Sequence, residues 1–103
     1  MKIIREAHRY ELENFDQPHF PGQILQFIEK VPGGDGKPMI TVCDGTTNED
    51  VLRVLINRIT KLNAKHPCAE NGMVIHILQA ALSWLNRRTS RRKARGVEGT
   101  NLS

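Results

Sequence analysis

Two long segments with helical periodicity, separated by a short connection that contains a proline, constrain the fold of this chain more than any other feature. The first carries apolar residues at spacings of three and four, namely Leu52, Leu55, Ile56, Ile59 and Leu62. The second carries Val74, Ile77, Leu78, Ala81, Leu82 and Leu85, with Met73 and Trp84 widening the stripe. Pro67 disfavours helix in the residue before it, so the first helix should end within residues 63–66 and the second should begin near Ala69. A loop this short predicts an antiparallel helical hairpin.

The start of the first helix has its own signature. Asp44 and Gly45 predict a turn, and Thr46 is followed three residues later by Glu49. A hydroxyl and a carboxylate at this spacing can each accept a hydrogen bond from a backbone N–H that has no partner at a helix start. The sequence therefore predicts a capping box at Thr46 and Glu49.

The residues before the hairpin favour β-structure. Residues 8–15 alternate well enough at Tyr10 and Leu12 to predict a strand, and residues 22–31 and 39–44 flank the glycine-rich PGGDGKP loop. We interpret those two runs as the arms of a β-hairpin, although short apolar runs are also compatible with helix. The predicted fold class is α+β: a short N-terminal antiparallel β-sheet followed by a two-helix antiparallel hairpin. Residues 1–103 should form a single domain, with a β-segment at 1–44, the hairpin at 45–96 and a C-terminal tail at 97–103.

The size of the chain bears on its assembly. It has 103 residues, of which 39% are hydrophobic, and a chain this short buries only a modest fraction of its surface. The second helix has more apolar surface than its partner helix and a thin sheet can cover. This excess predicts a subunit interface, and therefore at least a dimer, unless a broad β-layer covers it within one chain.

Positive charge is concentrated at one end. Residues 1–86 hold nine Lys and Arg against ten Asp and Glu, whereas residues 87–103 hold six against Glu98 alone. Arginines along one side of a helix can form charge-assisted hydrogen bonds with phosphate oxygens. The alternative is a solvated helix end, because cations are favourable at any helix C-terminus.

We find no pattern that predicts catalysis, a metal site or a cofactor. Cys43 and Cys68 match no zinc or redox spacing, and the four histidines are scattered. The N-terminus is charged throughout, unlike a signal peptide, and no run approaches the roughly twenty apolar residues of a membrane-spanning helix. We expect a cytoplasmic protein without a membrane partner.

Three local features allow a functional and a structural interpretation. The carboxylate pair Glu49 and Asp50 fits the positive end of a helix better than an acid/base pair. PGGDGKP lacks the spacing of a phosphate-binding loop and the helix that follows one, so a hairpin turn is favoured. Asn71, near the start of the second helix, could cap backbone or contact a ligand.

Residues 44–101 also resemble a known family. The features that carry the resemblance are DGTTNEDVL, the PCAEN connection, ALSWL, and RRT followed by RGVEGT. With these the chain resembles the helical-hairpin family of phage anti-defence sponges, in the Thoeris anti-defence and anti-CBASS group.

The resemblance implies a protein that is not an enzyme. Such a protein binds a cyclic nucleotide immune signal, a cyclic ADP-ribose isomer, and withholds it from the effector of an infected bacterial host. Some members also bind cyclic di- or trinucleotides at a separate site. The resemblance further implies dimers and higher rings, so the expected homo-oligomer is a dimer or a hexamer.

The resemblance also implies which residues bind the ligand. Asn71 in PCAEN would contact the base or ribose, and Arg88 in RRT would contact the pyrophosphate or the adenine face. The full set of ligand-binding residues is then Asn71, Arg88, Thr89, Arg92, Arg95, Gly96 and Thr100. Similar proteins stack the base on an aromatic residue near the end of the first helix, where this chain has residues 61–63, KLN. His66 or the plane of an arginine is the candidate replacement.

Two other functions compete with sequestration. A small, basic nucleic-acid-binding phage regulator would use the arginine cluster, although the leading interpretation requires no nucleic-acid partner. A pure interaction module would dock its apolar face on a host protein. The salt dependence of binding distinguishes the nucleic-acid-binding regulator from a sponge, because phosphate-backbone binding weakens steeply as salt rises.

Overall fold

The computed structural model describes residues 1–94. The elements are five strands followed by two helices: β1 Lys2–Arg5, β2 Arg9–Leu12, β3 Gln23–Gln26, β4 Glu29–Val31, β5 Ile40–Cys43, α1 Asn48–Lys65 and α2 Ala69–Ala94. The predicted α+β class, with antiparallel strands before two helices, is confirmed. Residues 1–47 and residues 48–94 belong to two compact units, each described by itself below. The single-domain organisation stays a prediction.

The first three strands form one antiparallel sheet in the order β1-β2-β3. Tyr10 pairs with Ile3 on one side and with Leu25 on the other, so β2 is the central strand. The strand predicted around Tyr10 and Leu12 is confirmed. β1 was missed, because its sequence KIIR is short and has no alternation.

The predicted β-hairpin is confirmed only for β4 and β5, which pair with each other. Residues 22–31 do not form one arm, because β3 pairs with β2 and only β4 pairs with β5. Between them, the Phe27 N–H donates to the His8 carbonyl at 2.7 Å and the Ile28 N–H donates to the Thr46 carbonyl at 2.9 Å. The backbone therefore changes partners at residues 27–28, which local alternation does not reveal.

The PGGDGKP segment connects β4 and β5, as the hairpin-turn interpretation predicts. The Lys37 N–H donates to the Gly34 carbonyl at 3.1 Å. Gly34 and Gly36 have φ angles of 118° and 71°, which residues with a side chain rarely adopt. The glycines here are needed for the turn.

The interior of residues 1–47 combines an aromatic contact with an ion pair. The Tyr10 and Phe27 rings pack edge to face with centroids 6.0 Å apart. Glu29 is 7% exposed, and its Oε1 accepts a hydrogen bond from Arg5 Nε at 2.8 Å. Arg5 Nη2 donates to the other carboxylate oxygen, so the guanidinium binds Glu29 with two parallel bonds. This pair ties the end of β1 to the start of β4.

Helix α1 begins one residue later than the predicted cap requires. Asn48 is its first residue, so Thr47 occupies the N-cap position and Asp50 stands three residues after it. Thr46 is held elsewhere: its N–H donates to the Gln26 carbonyl at 2.9 Å and its carbonyl accepts from Ile28. The capping pair predicted at Thr46 and Glu49 is wrong by one position, because these contacts hold Thr46 beside the strands.

Thr47→Ala should lower the free energy of unfolding by about 1 kcal/mol, because the N-cap hydroxyl satisfies an otherwise unpaired backbone donor. Urea unfolding followed by circular dichroism measures the difference. Thr46→Ala is the matched control, since it keeps both backbone hydrogen bonds of Thr46 and should cost less. Equal losses in the two variants would show that Thr47 is not the cap.

The helices pack on each other through half-buried side chains. Leu52, Ile56 and Ile59 are half-buried on α1, as predicted. On α2 the corresponding residues are Ile75, Leu78, Ala81, Leu82 and Leu85. Neither helix contains a fully buried residue.

Part of the predicted apolar stripe lies outside this contact. On α2, Val74 and Ile77 are exposed by 41% and 58%, whereas Ile75 is half-buried. On α1, Leu55 and Leu62 are also exposed. The spacing identified the helices correctly, but it identified the side that each presents to the other only in part, because apolar residues extend beyond one face of each helix.

Candidate functional site

The predicted binding residues within the described chain all lie on α2. Asn71 is the third residue of this helix and is half-buried. The N-cap position belongs to Cys68, whose backbone N–H donates to Asn63 Oδ1 at 3.0 Å. Asn71 is thus inside the helix, which argues against the capping interpretation of this residue.

The other described binding residues are in the last turns of α2. Arg88 is exposed, whereas Thr89 and Arg92 are half-buried. Arg95, Gly96 and Thr100, as well as the helix stop predicted at Gly96, lie outside the described residues.

Asn71 and Arg88 are far apart within one chain. They are seventeen residues apart on one continuous helix, which at 1.5 Å per residue is about 25 Å along the axis. At about 100° per residue they also point roughly 100° away from each other around the helix. A single small nucleotide does not span this distance, so a site that uses both residues needs them from different chains.

The basic end of α2 contains an aromatic residue. The Arg87 guanidinium lies over the Trp84 indole, with its carbon 4.6 Å from the ring centroid. A guanidinium this close to an indole face makes a cation–π contact. A depression of about 170 Å³ opens beside them and is lined by Trp84, Arg87, Arg88, Arg91 and Arg92. Sequence reasoning assigned Trp84 to the apolar stripe and did not connect it with the arginines.

Five cations from Arg87 to Lys93 make this end strongly positive. No acidic residue follows Glu70 in the α2 sequence. The helix C-terminus contributes a partial negative charge that favours cations there, so the cluster is compatible with a stable helix end. Its guanidinium groups can also bind phosphate oxygens, and four of them converge on one depression.

A second polar depression lies within residues 1–47, with a volume of about 450 Å³. Its lining includes Arg5, Arg9, Gln26 and Glu29. Hydrogen bonds from Arg5 hold the pKa of the Glu29 carboxyl below its usual range, and the same contact raises the pKa of Arg5. Arg9 Nε in turn donates to Gln26 Oε1. These groups satisfy one another, so we interpret the depression as structural.

The carboxylate pair at the start of α1 has a structural explanation as well. Glu49 and Asp50 are in the first turn, where negative charge is favourable. An Asp50 carboxylate oxygen lies 3.8 Å from Arg53 one turn later. Neither observation suggests acid/base chemistry.

Within residues 1–94, no three His, Cys, Asp or Glu side chains come together in a way that could hold a metal ion. In the same range, neither helix is long and apolar enough to cross a membrane.

Comparison with known proteins places these features in a family. The family model of the Acb2/Tad1 hairpin domain matches residues 24–90, which include Asn71, Arg88 and Thr89. A protein of Bacillus phage SBSphiJ7 named Thoeris anti-defense 1 is 46% identical to the chain over 59 residues. The alignment covers 56% of this chain and 42% of the phage protein, so the chain spans less than half of that relative's length.

Proposed function

Because the chain belongs to the Acb2/Tad1 hairpin-domain family, we propose that it is a phage anti-defence protein that binds and sequesters a cyclic nucleotide immune signal. The proposed ligand is a cyclic ADP-ribose isomer, with cyclic di- or trinucleotides as further ligands. Sequestration lowers the free concentration of the signal below what the host effector needs. The site of action is then the cytoplasm of the infected bacterium.

The observation that carries this proposal is the placement of Asn71 and Arg88 at opposite ends of α2. The amide of Asn71 can pair with a base edge or a ribose hydroxyl, because it offers both donors and an acceptor. Arg88 stands among cations that can bind a pyrophosphate. One helix thus offers the two kinds of group that a nucleotide requires, separated so that two chains must complete each site.

The apolar surface of the helices supports a homo-oligomer. Apart from Trp84, the large apolar side chains of the two helices that are exposed by 40% or more are Val54, Leu55, Leu62, Met73, Val74 and Ile77. Exposed apolar surface in this amount on two neighbouring helices is typical of an interaction surface. A second copy of the chain is the occupant that would also bring Asn71 and Arg88 together.

We propose that the bound ligand is stored without chemical change. Mass spectrometry of the nucleotide released by heat, after incubation of the protein with a lysate of signal-producing cells, should recover an intact cyclic ADP-ribose isomer. A linear or hydrolysed product would instead indicate an enzyme, provided that it disappears when Arg88→Ala replaces the original protein. A parallel sample of lysate without protein corrects for spontaneous breakdown.

The arginine cluster gives a second candidate function, a nucleic-acid-binding regulator. Phosphate-backbone binding should lose affinity by orders of magnitude between 50 and 200 mM salt, whereas a site with a desolvated ligand should lose much less. Binding of short DNA and of cyclic ADP-ribose across this range discriminates between the two functions.

A further inference from the structure

We propose that Trp84 is a stacking platform for a purine base, and that Arg87 and Arg91 extend the phosphate-binding surface beyond Arg88. The inference deepens the proposed function and rests on it: the ligand would be a purine nucleotide that carries a pyrophosphate. Trp84, Arg87 and Arg91 are additional to the residues assigned by motif.

The exposure of Trp84 is the first observation. The indole is 64% exposed even though Arg87 lies over its ring, so much of its surface can still receive a ligand. Base stacking on aromatic side chains tolerates any base, because each base has a π-face. A purine stacked on the indole beside Arg87 would form a layered contact of base, ring and cation.

The size and lining of the depression are the second observation. Its volume of about 170 Å³ is below the range of pockets that enclose a whole drug-sized ligand. It suits one ring system whose phosphates remain at the rim. The charged side chains that line the depression are Arg87, Arg88, Arg91 and Arg92.

Charge distinguishes a nucleotide from an apolar partner at this position. Residues 71–94 contain no Asp or Glu, so this stretch provides no carboxylate for Arg87, Arg88 and Arg91. An apolar partner surface placed over the indole would desolvate guanidinium groups without compensating them, which is costly. A phosphorylated purine supplies an aromatic face for Trp84 and negative charge for the arginines together.

The chain offers a direct measurement, since Trp84 is its only tryptophan. Cyclic ADP-ribose, added to the full chain, should change the Trp84 fluorescence along a saturable curve. Inorganic pyrophosphate, which has no base, should leave the fluorescence nearly unchanged. Calorimetry of the same titrations measures binding independently of fluorescence.

Trp84→Ala should weaken binding of cyclic ADP-ribose on the order of 5- to 150-fold, whereas Trp84→Phe should retain most of it. Arg91→Gln should also weaken binding, and Lys93→Gln is its matched control, because Lys93 does not line the depression. Circular dichroism confirms that each variant is folded.

Three negative results have different meanings. In the first, calorimetry detects binding, but the ligand leaves the fluorescence of the original protein unchanged and Trp84→Ala keeps the original affinity. Trp84 is then not the platform, and the proposed function stands. If calorimetry detects no binding of cyclic ADP-ribose to the original protein, the proposed function fails for this ligand and the inference fails with it. Fluorescence already typical of a buried indole, and insensitive to bound ligand, would place Trp84 in a subunit interface and overturn the inference.

Discussion

Ile77→Asp is expected to convert the protein from an oligomer to a monomer and to abolish binding of the cyclic nucleotide. Ile77 is 58% exposed, and Met73 lies one turn before it on the same side of α2. An unpaired carboxylate buried in an apolar interface costs about 3–5 kcal/mol. This would weaken the subunit contact by roughly two to four orders of magnitude. Light scattering after size-exclusion chromatography at micromolar concentration measures the mass.

Gln79→Asp provides the matched control for Ile77→Asp. It introduces the same charge two residues later, about 200° further around the helix, at a position that is already polar and exposed. The control should keep the mass of the original protein. A monomeric mass for the original protein, or equal masses for it and Ile77→Asp, would refute the proposed interface.

The helical part of the fold could be predicted because its determinants are local. Pro67 ends one helix, and the three- and four-residue spacing of apolar side chains marks both. The sides that the helices present to each other could be predicted only in part. α2 carries apolar residues around much of its circumference, so the spacing placed Ile77 in the stripe and left out Ile75, although only Ile75 is half-buried.

The β-segment was less predictable because its pairing depends on distant residues. Glu29 is held by Arg5, which is 24 residues away, and the Thr46 carbonyl accepts a hydrogen bond from the Ile28 N–H, with two strands and a turn between them in sequence. Because of such contacts, residues 22–31 are divided between two sheets, and the helix cap lies at Thr47 rather than at the predicted Thr46. Alternation and capping motifs describe only neighbours in sequence.

The candidate site could also be predicted only in part. Asn71, Arg88, Thr89 and Arg92 could be placed on one helix from sequence, but their separation and differences in exposure required the structure. Trp84 was missed as a binding residue, although a signal was present: Arg87 and Arg88 follow it at the three- and four-residue spacings that bring side chains together on a helix.

Asn71→Ala and Arg88→Ala should each abolish or greatly weaken binding of cyclic ADP-ribose while leaving the helical content unchanged. Arg88 is exposed, and Asn71 is half-buried near the start of α2, so neither truncation opens a cavity in a closed core. The loss of either partner leaves a desolvated phosphate or base edge unpaired, at about 1–3 kcal/mol or more. Calorimetry of each variant measures the affinity, and circular dichroism measures the fold.

A mixture of the two single variants tests whether each site takes Asn71 from one chain and Arg88 from another. In a twofold-symmetric dimer, a hybrid of the two variants has one site that lacks both residues and one site that is intact. Random exchange makes half of the dimers hybrid, so the mixture should regain about a quarter of the original binding capacity at the original affinity. Mixing Arg88→Ala with the Asn71→Ala/Arg88→Ala double variant is the control and should regain none. If native mass spectrometry detects hybrids but binding does not return, Asn71 and Arg88 do not share a site across subunits.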